Sequence, residues 1–383
     1  MKNPNLFTKN ANAIALSLLL LTAPRMVFAE DTASSIQTVD LDDGTSIGII
    51  IVNSPSPPPE PKMAVKEAFS SVAATGDVKI TGVPAFTWSY GASNTAGAMI
   101  AGYYDRVGFT NMYTGPTNGG CMPLTNVSWG LSSKGLNQCP LSATAAGVDG
   151  RTNRGHVDDY FVSDLSKGPD PYVAYGSEHT IGDCTGDYMK TSKWFPNSAS
   201  DLGLTSNINQ DGSAFFTLDL TGGPMTASML ESPTLAKYAL HDAGYGLKLF
   251  FESRGYTVAT MYNQYIDTVK AAGFTYEYYK AEIDAGRPVL LHLSGPTGHD
   301  VVGIGYNVTN EEIIFHDPSR NPIEQRMIWG GIYNTVYTHT AVTIVTLANA
   351  INPETGCGVS NSGTGSGQFP WTMFLPAITN SKK

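Results

Sequence analysis

The sequence predicts an α+β fold in which an N-terminal helical half packs on a C-terminal antiparallel β-sheet or partial barrel. Two observations support this fold class: apolar residues recur at helical spacing near residue 100, and five strand-like segments follow one another after residue 288. Between these halves, residues 106–236 are rich in turn residues and contain no clear repeat. We therefore predict one folded domain, residues 83–348, that carries a long loop-rich insertion.

The first helix is predicted over residues 94–105. Apolar and aromatic residues lie there on one helical face, because they follow the spacing i, i+3, i+4, i+7 and i+8: Ala96, Met99, Ile100, Tyr103 and Tyr104. Alanine and glycine occupy several other positions, as in a thin helix packed against a sheet. Two further helices are predicted over residues 238–255 and 276–285, because glycine ends each pattern.

Strands dominate the last third of the chain. The predicted segments are 289–293, 300–306, 312–316, 327–329 and 341–347. Before the domain, residues 30–82 are interpreted as a Pro-rich stalk or a pro-segment: residues 47–52 can form one strand, and the prolines of 54–61 require an extended backbone. Residues 349–383 are Gly/Ser-rich and are predicted to be a flexible tail.

The N-terminus has the features of a secretory signal. Lys2 and Lys9 supply positive charge, and the apolar run 13–23 is too short to span a bilayer. Small residues at Val27 and Ala29 predict cleavage after residue 29, with an uncleaved anchor as the alternative. The mature chain has no second apolar stretch of about 18 residues, so we expect no membrane span. A secreted, periplasmic or cell-surface location follows.

Composition and cysteine content narrow the possible ligands. The net charge of −10 disfavours nucleic acid and anionic lipid as partners, since both need a basic face. Four cysteines in an oxidising compartment favour disulfides, with three possible pairings. We prefer Cys121 with Cys139, which would close a short Gly/Ser-rich loop. Neither CxxC nor Cys/His zinc spacing occurs, so no metal or cofactor is predicted.

His299 and Asp317 form the most informative polar pair. A hairpin centred on position 308 would place residues 299 and 317 directly opposite each other. Opposed residues in antiparallel strands have Cβ atoms about 4.5–5.5 Å apart. A carboxylate there can fix the tautomer of an imidazole and stabilise its charged form, which is the base half of a nucleophile triad. A structural His–Asp pair is the alternative.

Residues 87–105, TWSYGASNTAGAMIAGYYD, resemble the nucleophile segment of the papain-like peptidase superfamily, in particular its bacteriocin-processing-peptidase-like group of exported bacterial proteins. That group has Cys-Gly/Ser-Pro-Thr at the start of a small-residue helix that ends in Tyr-Tyr. The resemblance covers about residues 83–105 and 237–348, and it implies a papain-like fold. Four further segments are similar to the group's His and Asp strands: Gly286–Val289, Gly298–Val302, Gly305–Tyr306 and Asp317–Pro318.

The resemblance implies His299 as the base, Asp317 as the residue that orients it, and Ala92 at the position of the nucleophile. A thiol there would be activated by the helix N-terminus and by an adjacent imidazolium, whereas alanine has no nucleophilic atom. The family's oxyanion-binding glutamine is also missing, since residues 83–88 contain none. Ser93, which also suits an N-cap, and Ser89 are the alternative nucleophiles.

Three functions are compatible with these residues. The first is a catalytically impaired papain-like module that binds a peptide or protein ligand in the former substrate cleft. The second is an active thiol- or serine-type hydrolase with a relocated nucleophile. The third is a structural, surface-attached module, which the Pro-rich stalk would suit.

Overall fold

The computed structural model describes residues 36–53, 76–110, 112–113, 121–130, 138–142, 184–191, 212–321 and 323–348. The predicted signal peptide, the Pro-rich run 54–61 and the C-terminal tail lie outside these residues. In the described part of the chain, the helices are α1 (Ala92–Arg106), α2 (Thr185–Tyr188), α3 (Ala227–Leu230), α4 (Ala236–Ala239), α5 (Ala243–Ser253) and α6 (Tyr276–Asp284). None of these helices is long and apolar enough to cross a membrane.

The strands of the same residues form two antiparallel sheets, which confirms the α+β class. They are β1 (Ile36–Asp40), β2 (Ser46–Asn53), β3 (Asp77–Lys79), β4 (Gly212–Leu218), β5 (Met225–Thr226), β6 (Val258–Tyr265), β7 (Val289–Ser294), β8 (His299–Asn307), β9 (Glu312–His316), β10 (Glu324–Ile328), β11 (Ile332–Tyr333) and β12 (Tyr337–Leu347). The larger sheet has the order β10-β9-β8-β7-β12-β6-β5, with β3 paired to β8 and β11 to β12, and the smaller has the order β1-β2-β4.

Helix α1 lies where the sequence predicts it but is buried on every side. All its residues from Ala92 to Asp105 are buried. Residues of the insertion pack closely against it: a Cβ added at Gly97 would overlap Met189, and one at Gly102 would lie 2.8 Å from Met122. The glycines therefore serve close packing against the insertion, which the one-sided apolar pattern could not reveal.

Residues 36–53 form a hairpin that belongs to the folded part of the chain. Strand β2 pairs with β4 along its length, and its apolar side chains are buried: Ile47, Ile49, Ile50, Ile51 and Val52. Within the segment 30–82, which the sequence analysis interprets as a Pro-rich stalk or pro-segment, residues 36–53 are thus packed on the fold, and residues 47–52 form the strand predicted there. The physical reason is the run of aliphatic residues, whose exposure to water would be unfavourable. Whether the segment acts as a pro-segment stays a prediction.

The single helix predicted over residues 238–255 is interrupted. Helix α4 ends at Ala239 and α5 begins at Ala243, because the Asp242 carboxylate accepts a hydrogen bond from the Tyr245 N–H and so caps a new helix. The predicted helix at 276–285 and the five C-terminal strands are present. Strand β6 was not predicted.

The predicted disulfide between Cys121 and Cys139 is wrong. Cys139 is a buried free thiol. The loop that carries Cys139 is held against α2 instead, since the Thr185 N–H donates to the Leu141 carbonyl at 2.9 Å. Burial raises the pKa of the Cys139 thiol to about 12. The fourth cysteine, Cys357, lies outside the described residues.

Candidate active site

The register of β8 and β9 determines how residues 299 and 317 meet. Val302 pairs with His316, and the register shifts by one residue between Gly303 and Gly305. The symmetric hairpin predicted around position 308 is therefore wrong by two residues, because the bulge and a longer turn move the pairing. An even offset leaves the alternation of side chains unchanged, so residues 299 and 317 stay on the same face as diagonal neighbours.

His299 and Asp317 form a buried, hydrogen-bonded pair. The distance between His299 Nε2 and Asp317 Oδ1 is 2.8 Å. Asp317 Oδ1 also accepts the Ser319 backbone N–H at 2.7 Å, and Asp317 Oδ2 accepts the Tyr333 hydroxyl at 2.8 Å. Arg320 adds a longer, exposed contact of 3.9 Å to the same carboxylate. Three hydrogen bonds thus fix the carboxylate, and one of them also fixes the imidazole.

Asp317 is an ionised carboxylate although it is buried. Burial by itself would raise the pKa of this carboxyl, but the His299 ring and the hydrogen bonds from His299, Ser319 and Tyr333 outweigh it and hold the pKa below its usual value. Tyr333 remains a protonated donor, because burial and the adjacent carboxylate both raise the pKa of its hydroxyl. An ionised carboxylate only accepts hydrogen bonds, so His299 Nε2 must carry the shared proton.

The second nitrogen of His299 is the unusual atom of this site. His299 Nδ1 is buried and has no hydrogen-bond partner among the described residues. When the ring is neutral and its proton is on Nε2, Nδ1 presents a lone pair. A buried polar atom without a partner costs about 1–3 kcal/mol, so this nitrogen favours a hydrogen-bond donor.

The segment before α1 lies beside this pair. The Trp88 N–H donates to the carbonyl of Pro318, the residue after Asp317, at 2.8 Å. The chain then folds back, because the Ser89 N–H donates to Thr95 Oγ1 in the first turn of the helix. Trp88 and Ala92 are four residues apart, a span of at most about 14 Å. The start of α1 is therefore linked, through the bond between Trp88 and Pro318, to the segment that carries Asp317.

Helix α1 begins directly at Ala92, after a turn with unusual backbone angles. Tyr90 and Gly91 have positive φ angles of 59° and 142°. A left-handed conformation is uncommon for tyrosine and tends to mark functional sites. Gly91 is the N-cap and provides no side-chain hydrogen bond. Ala92 therefore lies at the first helical position, at the positive end of the helix dipole.

The two candidate nucleophiles, Ser93 and Ser89, make no hydrogen bond to His299 among the described residues. Ser93 lies inside the helix, so its predicted role as N-cap is wrong: Gly91 takes that place because its positive φ suits glycine. Ser93 Oγ is buried and, in the described part of the structure, has no hydrogen-bond partner. The Ser89 backbone carbonyl accepts from Asn94 and Ser142 in the turn that supports the helix start. No hydrogen bond joins either serine to His299 within the described residues.

A second buried His–Asp pair lies on the opposite face of β8. His292 Nδ1 and Asp300 Oδ1 are 2.7 Å apart, and His292 Nε2 contacts Thr343 Oγ1 at 2.8 Å. Thr343 donates to Asn263, whose amide donates to Asp242. This chain of buried polar groups connects β8 through β7, β12 and β6 to the first turn of α5. It accounts for the polar residues inside strands that are otherwise apolar.

Tyr333 and Tyr337 were not predicted to belong to the site. Tyr333 bonds to Asp317, and the Tyr337 ring lies 5.5 Å from the His299 ring, centroid to centroid. Ala92, His299 and Asp317 have relative exposures of only 0%, 1% and 1%. The site is thus enclosed in this conformation. No local sequence signal indicates which surface an aromatic hairpin will cover.

One family model matches part of the chain. Residues 225–341 match the model of the Peptidase_C39 like family. The match includes His299 and Asp317 and supports a relationship to papain-like peptidases, in agreement with the α+β fold. It does not include α1 or Ala92. Searches of curated proteins and of solved structures find no match.

Proposed function

We propose that this chain is an exported protein of papain-like fold that binds a peptide or protein segment without cleaving it. The observation that supports the proposal is a hydrogen-bonded His299–Asp317 pair in a chain that has alanine, Ala92, at the first position of α1. The pair supplies a base and its orienting residue. Without a nucleophile, no covalent intermediate can form.

Loss of the nucleophile leaves too little catalysis for a peptidase. In enzymes with a Ser-His-Asp triad, removal of one member leaves roughly 10³–10⁴-fold acceleration over water. That acceleration is small beside the total of 10⁶-fold or more that enzymes commonly reach. The absence of glutamine in residues 83–88 removes a further expected contribution to transition-state binding.

The unpaired Nδ1 of His299 supports binding of a polypeptide. This nitrogen accepts a hydrogen bond when the ring is neutral, and a peptide offers one N–H at almost every residue. A ligand that supplies this donor would relieve the cost of the buried lone pair. Because the site is enclosed, binding requires a local opening of the structure.

Two alternatives each have one supporting observation. The unpartnered hydroxyl of Ser93 favours a serine hydrolase, although it makes no hydrogen bond to His299 in the described structure. The burial of Ala92, His299 and Asp317 favours a structural module without a ligand. With purified protein, the hydrolase alternative predicts cleavage of peptides, and the structural alternative predicts neither binding nor cleavage.

A proteolytic digest of whole-cell protein serves as the test ligand. We expect the wild-type protein to enrich a defined set of peptides, uncleaved, and the His299→Ala variant to lose that enrichment. His316→Ala is the matched control, because His316 is buried nearby but bonds to the Pro84 carbonyl. New cleavage products that depend on His299 would identify a hydrolase. Enrichment that is absent, or unchanged in His299→Ala, would contradict the proposal.

A further inference from the structure

A short hairpin lies over the His299–Asp317 pair. Residues 332–338, here called the tyrosine hairpin, consist of β11, a turn and the start of β12, with Ile332 paired to Thr338 and Tyr333 to Tyr337. The two turn residues Asn334 and Thr335 both have positive φ, at 50° and 65°. Three residues, 334–336, separate the paired Tyr333 and Tyr337, and positive φ at two successive turn residues is typical of the primed turns found in hairpins. Neither residue is glycine, so the turn is strained.

The inner side of the tyrosine hairpin contacts the site through two hydroxyls. Tyr333 donates to Asp317 Oδ2 at 2.8 Å, and Tyr337 exchanges a hydrogen bond with Thr297 Oγ1 at 3.2 Å. Thr297 lies just before His299, whose ring the Tyr337 ring approaches. Gly295 permits this close seating, since a Cβ there would lie 2.6 Å from the Tyr337 ring.

The outer side of the tyrosine hairpin is in water. Ile332 is 66% exposed and Val336 is 48% exposed. Thr338, its last residue, pairs with Ser294 of β7. The rest of the hairpin is held to the domain from one side, by the Tyr333 ring, which packs on Phe315, and by the two hydroxyl contacts. Segments with few buried apolar contacts open at lower free energy than the core.

We propose that the tyrosine hairpin is a lid that controls access to His299, and that the hydroxyls of Tyr333 and Tyr337 are its latches. When the hairpin moves away, Asp317 loses one donor and the His299 ring loses its aromatic cover. Nδ1 then becomes accessible to a ligand. This inference rests on the proposed function only in assigning the ligand to this site, because the motion itself can be measured without any ligand.

Diethyl pyrocarbonate, which modifies neutral imidazole, serves as the probe of access. We compare wild type with the double variant Tyr333→Phe/Tyr337→Phe, which keeps the rings and removes both hydroxyls. Because one lost bond goes to a charged carboxylate, we expect modification of His299 to become about tenfold faster or more, as read by peptide mass spectrometry. His316, 8% exposed, is the internal control and should keep its rate.

Tyr306→Phe is the matched variant, since it removes a Tyr–carboxylate hydrogen bond to Asp284 outside the site. We expect it to leave the modification rate of His299 unchanged. Hydrogen exchange gives a second readout: amides of residues 332–338 should exchange faster than those of β8 in wild type, and faster still in the double variant. A folded double variant with unchanged modification and unchanged exchange would overturn the lid. Failure to find a peptide ligand would leave these results unaffected.

Discussion

The backbone N–H of Trp88 donates a hydrogen bond to the carbonyl of Pro318 at 2.8 Å. This bond joins the segment that precedes α1 to the residue that follows Asp317. The matched family segment supplies one side of this contact and the N-terminal region supplies the other. Because of this bond, we expect the ring of His299 to influence the pKa of a titratable side chain introduced at position 92.

The substitution Ala92→Cys tests that expectation. The helix N-terminus and a neighbouring imidazolium both favour a thiolate, whereas burial disfavours it, so we expect the introduced thiol to have a pKa at least one unit below that of an equally buried thiol further along the helix. The pH dependence of alkylation by iodoacetamide measures it. The midpoint is compared rather than the rate, because burial slows the reaction at every pH.

The matched control is Ala96→Cys, one turn further along the same buried helix face. Its thiol lies away from the unsatisfied N–H groups and should not show a lowered midpoint. Adding His299→Ala to the Ala92→Cys variant should raise the midpoint again. Equal midpoints for the Ala92→Cys and Ala96→Cys variants would show that the assignment of the nucleophile position is wrong.

Asp317→Asn should destabilise the protein in a pH-dependent manner. The folded-state pKa of Asp317 is lowered, so its contribution to stability is present above the unfolded value of about 3.9 and is lost as the pH falls through the folded value. At pH 7 we expect a loss of about 2–3 kcal/mol, because an amide places one donor among groups that donate to the carboxylate. Urea unfolding at pH 7 and at lower pH measures the difference.

The control for this substitution is Asp284→Asn, whose carboxylate accepts only the Tyr306 hydroxyl among the hydrogen bonds of the described residues. We expect a smaller loss there. The deficit of Asp317→Asn should shrink once the pH falls below about 4, where the wild-type carboxyl begins to bind a proton. A deficit that stays constant down to the acid limit of folding would mean that Asp317 is not held ionised by its partners.

For Asp242→Asn, the difference in the free energy of unfolding from wild type should change with pH in the opposite direction to that for Asp317→Asn. Burial raises the pKa of Asp242 from 3.8 to about 6, against the hydrogen bonds from Tyr245, Phe216 and Asn263. A raised pKa means that its contribution is complete below the unfolded value and is lost as the pH rises through the folded value. Two pKa units correspond to about 3 kcal/mol, so wild type should lose about that much relative to the variant between pH 4 and pH 7.

Urea unfolding of both proteins across this pH range measures the effect. The control is Asp43→Asn: Asp43 also accepts a backbone N–H, from Thr45, but it is exposed and its pKa is lowered. The difference in the free energy of unfolding between Asp43→Asn and wild type should therefore change with pH in the opposite direction to that for Asp242→Asn. Parallel stability curves for wild type and Asp242→Asn would contradict the prediction.

Gly298→Ala tests whether the N-terminal hairpin is part of the domain. Gly298 has a φ of +66°, and a Cβ there would overlap the Ile51 carbonyl of β2. Gly44 has a φ of +83° with nothing within 4 Å, so Gly44→Ala measures backbone strain alone, which costs about 1–2 kcal/mol. We expect Gly298→Ala to lose at least about 2 kcal/mol more, from the steric overlap. Equal losses in the free energy of unfolding would show that β2 does not pack there in solution.

Local patterns in the sequence predicted several elements well. The apolar spacing around Ile100 predicted α1, and the aliphatic runs after residue 288 predicted β7 to β9 and β12. Strand β10 begins earlier than predicted, because its charged residues Glu324 and Arg326 are paired with Lys79 and Asp77. Strand β6 was missed since it carries Asn263, a polar residue that is buried and hydrogen-bonded inside the fold.

The sequence by itself determined which residues carry the candidate chemistry: His299 and Asp317 share a face because side chains alternate along strands, and that parity survives a two-residue error in register. The tertiary structure decided what surrounds them. The pairing of β2 with β4, the cover of α1 by the insertion and the seating of Tyr333 and Tyr337 all join segments far apart in the chain. Such contacts depend on which surfaces meet after folding, and no local periodicity records them.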